Sequence, residues 1–193
     1  LKPVSLSDGL TDDDKKSIKF IPYNDIKTSK KILDKYKKKT SCIIIEPIQG
    51  CLPLENAEKY LKFLSNYCKK NNIIIIFDEM ITGLRTDGGS VQSYYNLKSD
   101  ITTFGKCLGG GMPIGIIAIS SKIEKLMSKK KKKIFFGGTF SGNSISTYVG
   151  MVTTKYIINN RKRIFSDLEN KSVFFQNTLN KFIKKNNINA FIY

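Results

Sequence analysis

Unbroken apolar runs alternate along this chain with stretches whose apolar residues recur every three or four positions, and that alternation predicts the order of elements. Cys42-Ile43-Ile44-Ile45-Glu46 has the pattern of a buried strand, halted by Pro47, whose missing N–H ends a ladder. Ile73-Ile74-Ile75-Ile76-Phe77 is a second such run and ends in Asp78-Glu79. Continuous isoleucine of this kind is what a strand covered by helices on both faces requires. Between the two, Ala57, Leu61, Leu64 and Cys68 are spaced by four, three and four, the stripe of an amphipathic helix over 54–70. A further helix is predicted over 26–38, and shorter strands over 101–104 and 115–119. The β-α-β order, with crossovers long enough to hold a helix, implies an α/β fold, a mostly parallel sheet flanked by helices.

Farther along, Gly137-Gly138-Thr139-Phe140-Ser141-Gly142-Asn143 feeds a helix predicted to begin near Ser144, with Ile145, Val149, Val152 and Tyr156 as its apolar face. A last helix is predicted over 167–185. There Ser166 and Glu169 stand in capping-box register, and Phe175, Leu179 and Phe182 share one face. A glycine- and hydroxyl-rich loop at a helix start is either a phosphate seat or an ordinary turn with its N-cap.

Composition narrows the chemistry by exclusion. The 193 residues contain no histidine, which removes Ser-His and Cys-His nucleophile pairs, histidine zinc sites and histidine general bases. Cysteines 42, 51, 68 and 107 form no C-x-x-C pair, so neither a zinc ribbon nor a disulfide framework is expected. Cys42 and Cys68 fall in apolar patterns and read as small core residues, which fits a reducing compartment, and a cytoplasmic location is expected. No run approaches the ~18 apolar residues of a membrane span, and no signal pattern opens the chain. A formal net charge of +17 raises affinity for anions in general. Lys35–Lys39, interrupted only by Tyr36, and Lys129–Lys133 present no series of interleaved stacking aromatics, however, so they read as solvated surface rather than a specific nucleic-acid site.

The strand ends carry the chemistry. In parallel α/β sheets ligands gather at the carboxyl ends of strands, and Glu46, Asp78 and Lys106 each follow an apolar strand-like run there. Lys106 stands in Ile101-Thr102-Thr103-Phe104-Gly105-Lys106-Cys107-Leu108-Gly109-Gly110-Gly111, apolar and glycine-rich rather than charged. A lysine held in a dry pocket loses hydration, and its neutral amine can form a Schiff base with a carbonyl. Asp78 ends a buried strand, where a carboxylate needs a cation or strong donor; a protonated pyridine nitrogen, Arg85 or a helix cap would each serve. The acidic strand also resembles the second motif of nucleotide triphosphatases. The phosphate loop which that reading requires, G-x-x-x-x-G-K-[ST], is absent, because Gly105-Lys106 is followed by Cys107.

Four segments in order, IIIEPIQG (43–50), FDEMITGLR (77–85), DITTFGKCLGGGMPIG (100–115) and GGTFSGN (137–143), resemble the successive motifs of class III, fold type I pyridoxal-phosphate aminotransferases. PYND at 22–25 is similar to the glutamate-1-semialdehyde aminomutase branch. The resemblance implies pyridoxal 5'-phosphate as cofactor, Lys106 as the Schiff-base lysine, Asp78 as the partner of the pyridine nitrogen, and Met80 packed on the ring face. It further implies Thr139 contacting the cofactor phosphate across a homodimer interface, with Glu46 on the substrate side. The substrate would be a small amino or keto compound. Residues 1–160 would then be part of the cofactor-binding large domain and 161–193 the start of a small C-terminal domain, making the chain a fragment of the family fold.

Two positions depart from the aminomutase pattern: Cys51-Leu52-Pro53 replace the usual asparagine or acidic residue and glycine after Gly50, and Ser144 replaces the proline after S-G-N. An aminotransferase of a keto-sugar or other keto substrate therefore stays open. So does an inactive remnant or regulatory module.

Overall fold

Strand β1 (Cys42–Ile45) pairs in parallel with β2 (Ile74–Asp78), and β2 in parallel with β3 (Ile101–Gly105). β4 (Gly115–Ile119) runs antiparallel to β3, closing a four-stranded sheet in the order β1-β2-β3-β4. This is a computed structural model, which describes residues 9–51, 57–129, 134–135 and 137–192. Start of the predicted 54–70 helix and Lys130–Lys133 lie outside those residues. The fold class is as expected: a mostly parallel sheet with flanking helices.

Helix α1 (Asp12–Ser17) starts on a capping box in which the Thr11 side chain accepts from Asp14 N and Asp14 Oδ2 accepts from Thr11 N. Helix α2 (Ile26–Tyr36) is capped by Asp25, which accepts from Thr28 N, and tightens into a 3-10 turn over Lys37–Lys39. Helix α3 (Ala57–Asn71) lays Ala57, Tyr60, Leu61, Leu64, Tyr67 and Cys68 on the sheet, so the spacing of its apolar residues gives the buried stripe. These side chains, with Leu33, Ile43, Ile75, Phe77 and Val91, form the core. Tyr60 is fully buried, and its hydroxyl donates to Pro22 O at 2.9 Å. Burial lifts the Cys68 thiol to about 12, so it stays a small apolar packing group.

Only one face of the sheet is covered by described residues. Ile43, Ile75 and Phe77 point into the core, whereas Ile44, Ile76, Ile101 and Ile119 pair in a row across all four strands on the opposite face. Ile44 there is 64 % exposed. Cys42 lies on this open face and is exposed, not a core residue as its apolar neighbours predicted.

Helix α4 (Val91–Tyr94) and helix α5 (Ser121–Lys129) flank the strands. Helix α6 (Ser144–Asn159) begins where predicted, with Asn143 as N-cap. Its packed face differs from the prediction. Ile145, Val152 and Tyr156 are exposed, while Ser146 and Gly150 are buried against the loop after β3. Small residues win there because the backbones approach closely: a Cβ on Gly150 would lie 3.1 Å from Leu108 O.

Helix α7 (Arg161–Lys185) starts six residues before the predicted boundary. Ser166 and Glu169 are therefore mid-helix rather than a capping box, and the actual N-cap, Asn160, makes no side-chain cap bond. Its first residue is tied instead to the rest of the chain by Arg161 Nε donating to Asp87 Oδ1 at 2.5 Å. Phe175 and Phe182 are exposed, and α7 buries no residue against the described chain.

Candidate active site at the strand tips

Because β1, β2 and β3 run parallel, their carboxyl ends lie along one edge of the sheet, and the predicted Glu46, Asp78 and Lys106 all follow those ends. Asp78 pairs in register with Thr103, three residues before Lys106. Its side chain lies on the open face with Thr103, opposite the core. Asp78 Oδ1 accepts two hydrogen bonds, from Thr103 Oγ1 at 2.9 Å and from Met80 N at 3.1 Å. No described donor reaches Oδ2. The alternatives of an Arg85 ion pair or a helix cap are not what the structure holds, since Arg85 Nε donates to Ile81 O at 2.6 Å and Asp78 caps no helix.

Gly105 ends β3, and a side chain there would meet Met80 Cε at 2.4 Å and Ile114 O at 2.9 Å. Its bare backbone lets Met80 lie directly against the residue preceding Lys106. Lys106 follows in the left-handed region (φ +48), opening a 3-10 turn over Lys106–Gly109 with its side chain exposed. A non-glycine residue in that region costs about 1 kcal/mol or more, and such strain concentrates where a side chain must be aimed. The turn is held from behind by α6, since a Cβ on Gly110 would lie 2.1 Å from Thr153 Oγ1.

The third strand tip is locked to the second. Glu46 Oε2 accepts from Gly50 N at 3.0 Å, closing the loop after β1, and Ile81 packs on Gly50, where a Cβ would lie 2.3 Å from Ile81 Cδ1. Consecutive residues Met80 and Ile81 thus press on the glycines of the two neighbouring strand ends. Tyr23, from the PYND segment, donates to Pro47 O at 2.6 Å and secures the same loop. Thr139 stands in an exposed turn before α6, and no described hydrogen bond joins it to Asp78 or Lys106.

The residue that sequence reasoning missed is Glu79. It is fully buried, on the core side of the sheet end, and its carboxylate accepts from Thr82 Oγ1 at 2.9 Å, Val91 N at 2.7 Å and Gln92 N at 3.1 Å. It thereby satisfies the first amides of α4 and ties the 82–92 loop behind Asp78. Gln92 continues the network by donating to Thr102 Oγ1 at 2.9 Å. Its sequence signal is faint, because two of its three donors are backbone amides twelve and thirteen residues away. Glu79→Ala strands those donors in a buried site, so it is expected to destabilise the full-length protein by about 3 kcal/mol in urea titration. A loss below about 0.5 kcal/mol would contradict the assignment.

The amine of Lys106 and the carboxylate of Asp78 thus follow adjoining strand ends of a mostly parallel α/β sheet. Residues 10–191 match the family described as Aminotransferase class-III, and the chain belongs to that family. It is 38 % identical over 191 residues to glutamate-1-semialdehyde 2,1-aminomutase of Methanococcus maripaludis, covering 97 % of this chain and 43 % of the relative. The enzyme of that name from Methanocaldococcus jannaschii is 37 % identical over 191 residues, with the same coverage. Among solved structures, acetylornithine aminotransferase from Elizabethkingia anophelis superposes with a TM-score of 0.72 at 30 % identity, over 86 % of this chain and 42 % of that one. An omega-transaminase from Sphaerobacter thermophilus gives 0.71 at 26 % identity, over 79 % and 35 %. The chain spans less than half the length of these relatives.

Proposed function

We propose that the protein containing this chain transfers an amino group between small amino and keto compounds with pyridoxal phosphate, through a Schiff base on Lys106. The carrying observation is the Asp78 carboxylate, oriented by two donors on one oxygen and free of described donors on the other, at the strand tip beside the one that Lys106 follows. That donor set fits a pyridine ring bearing an aldehyde: Oδ2 can accept the ring N–H, and Met80, seated on Gly105, offers an apolar surface to a ring face. The cofactor supplies an aldehyde that condenses with amines and a ring that absorbs negative charge. Lys106 would hold that aldehyde, and its amine would move the proton at the reacting carbon of the substrate. Asp78 would keep the ring nitrogen protonated. Thr139 is assigned to the cofactor phosphate from a second subunit of a homodimer. Glu46 is assigned to the substrate side, where Oε2 is committed to its own loop and Oε1 remains.

Residues 161–193 are read as the start of a C-terminal domain, the junction falling at Asn160 between α6 and α7. The names of the curated relatives make glutamate-1-semialdehyde the first substrate to test, with the keto-substrate aminotransferase reading set against it by Cys51 and Ser144. No helix among the described residues is long and apolar enough to cross a membrane. The test is to titrate the full-length protein with pyridoxal phosphate and add glutamate-1-semialdehyde, then a panel of amino donors. The expected result is a visible absorbance band that changes when a substrate amine is added. Absence of any band retained by the protein once free cofactor is removed would overturn the reading in favour of an inactive remnant.

A further inference from the structure

We infer that Thr103 is a positioning residue for the cofactor ring, acting through Asp78; the inference rests on the functional reading above. Asp78 and Thr103 are register partners on adjacent parallel strands, and their side chains meet on the open face of the sheet. Thr103 has one hydroxyl proton, which lies toward Asp78 Oδ1, and no other described side-chain partner competes for it. The same oxygen receives Met80 N across a two-residue Asx-type turn. Two donors from different directions fix the carboxylate plane, leaving Oδ2 as the oxygen with unused acceptor capacity. One hydroxyl therefore couples the strand that precedes Lys106 to the carboxylate that grips the far end of the ring. Glu79 N donating to Thr103 O at 3.0 Å holds the strand pair in register at that point.

The geometry separates this role from general sheet stability. Thr103 is half-buried on a face that carries no core side chains, and valine has the same shape and equal preference for a strand. Thr103→Val should fold and keep the register while removing only the hydroxyl. Without it, Asp78 keeps the Met80 amide but loses the cross-strand constraint, and its carboxylate can turn away from the ring.

The experiment uses the full-length protein and its Thr103→Val, Thr103→Ser and Asp78→Asn variants. It reads thermal midpoint, pyridoxal-phosphate affinity by fluorescence titration, and the pH dependence of the cofactor absorbance. Loss of a hydrogen bond to a charged group predicts that Thr103→Val weakens cofactor binding by about tenfold. The absorbance titration should shift in the direction that Asp78→Asn produces, with the thermal midpoint little changed. Thr103→Ser should restore both readouts. If Thr103→Val matches the unmodified protein in affinity and titration, or if Thr103→Ser fails as Thr103→Val does, the inference is overturned. Should Thr103→Val not fold, Thr103→Ala against Thr103→Ser makes the same comparison. An unmodified protein that binds no cofactor overturns the functional reading itself, an outcome distinct from either.

Discussion

Lys106→Ala in the full-length protein is expected to show no covalent cofactor and a fall in turnover of at least about 10⁴-fold, the upper range for loss of a positioned proton-transfer group. Two functions reside in one side chain, so the loss exceeds that of a base alone. The ε-amine is both the group that holds the aldehyde and the group that moves the proton. Lys106→Arg keeps the charge and much of the length, but a guanidinium does not give up its proton in proteins and is expected to fail equally. Added small amines should restore part of the proton transfer in Lys106→Ala, because the space left at the strand tip is open to solvent. Absorbance before and after borohydride, with steady-state rates, checks both variants and the amine rescue. Persistence of a reducible adduct in Lys106→Ala would remove Lys106 from its assigned role.

Asp78→Asn is expected to cost on the order of 10²- to 10³-fold in turnover, the scale of losing one preorganised electrostatic contact to developing charge. Asparagine preserves the shape and can still accept from Met80 N and the Thr103 hydroxyl, so the strand ends should hold their geometry. It lacks the negative charge that keeps a ring nitrogen protonated. At saturating cofactor the variant should still load, since Lys106 remains, and the deficit should appear in kcat. Single-turnover rates with a saturating amine separate the two steps. Unimpaired proton transfer in Asp78→Asn would show that the ring charge is absorbed elsewhere.

The strand tips were legible because isoleucine runs mark where buried strands stop, and a charged residue at such a stop is conspicuous. Asp78 stands out in this way and Lys106 by its apolar, glycine-rich surroundings, and the parallel pairing of β1, β2 and β3 places both tips on the same sheet edge. Glu79 was not legible, although it is the more deeply buried carboxylate. Its partners are mostly backbone amides, which leave no mark in composition. The packed face of α6 differs from the apolar stripe because its apolar and small polar residues are intermixed round the helix, so periodicity singles out no face. Close backbone approach at Gly150 decided it. The start of α7 was misplaced because S-x-x-E also occurs inside helices, and Ser166 needed a helix boundary that the chain puts at Asn160. The unbroken isoleucines of β1 and β2 call for cover on both faces, whereas the described residues cover only the Phe77 face and leave Ile44 and Ile117 open. The curated relatives that the chain matches are more than twice as long.

The most direct test of the account is to load the full-length protein with pyridoxal phosphate, reduce it with borohydride, digest it, and locate the pyridoxyl group by mass spectrometry. The account predicts a single modified peptide carrying the group on Lys106, lost in Lys106→Ala. A group carried on any of the many surface lysines, with Lys106 unmodified, would contradict it.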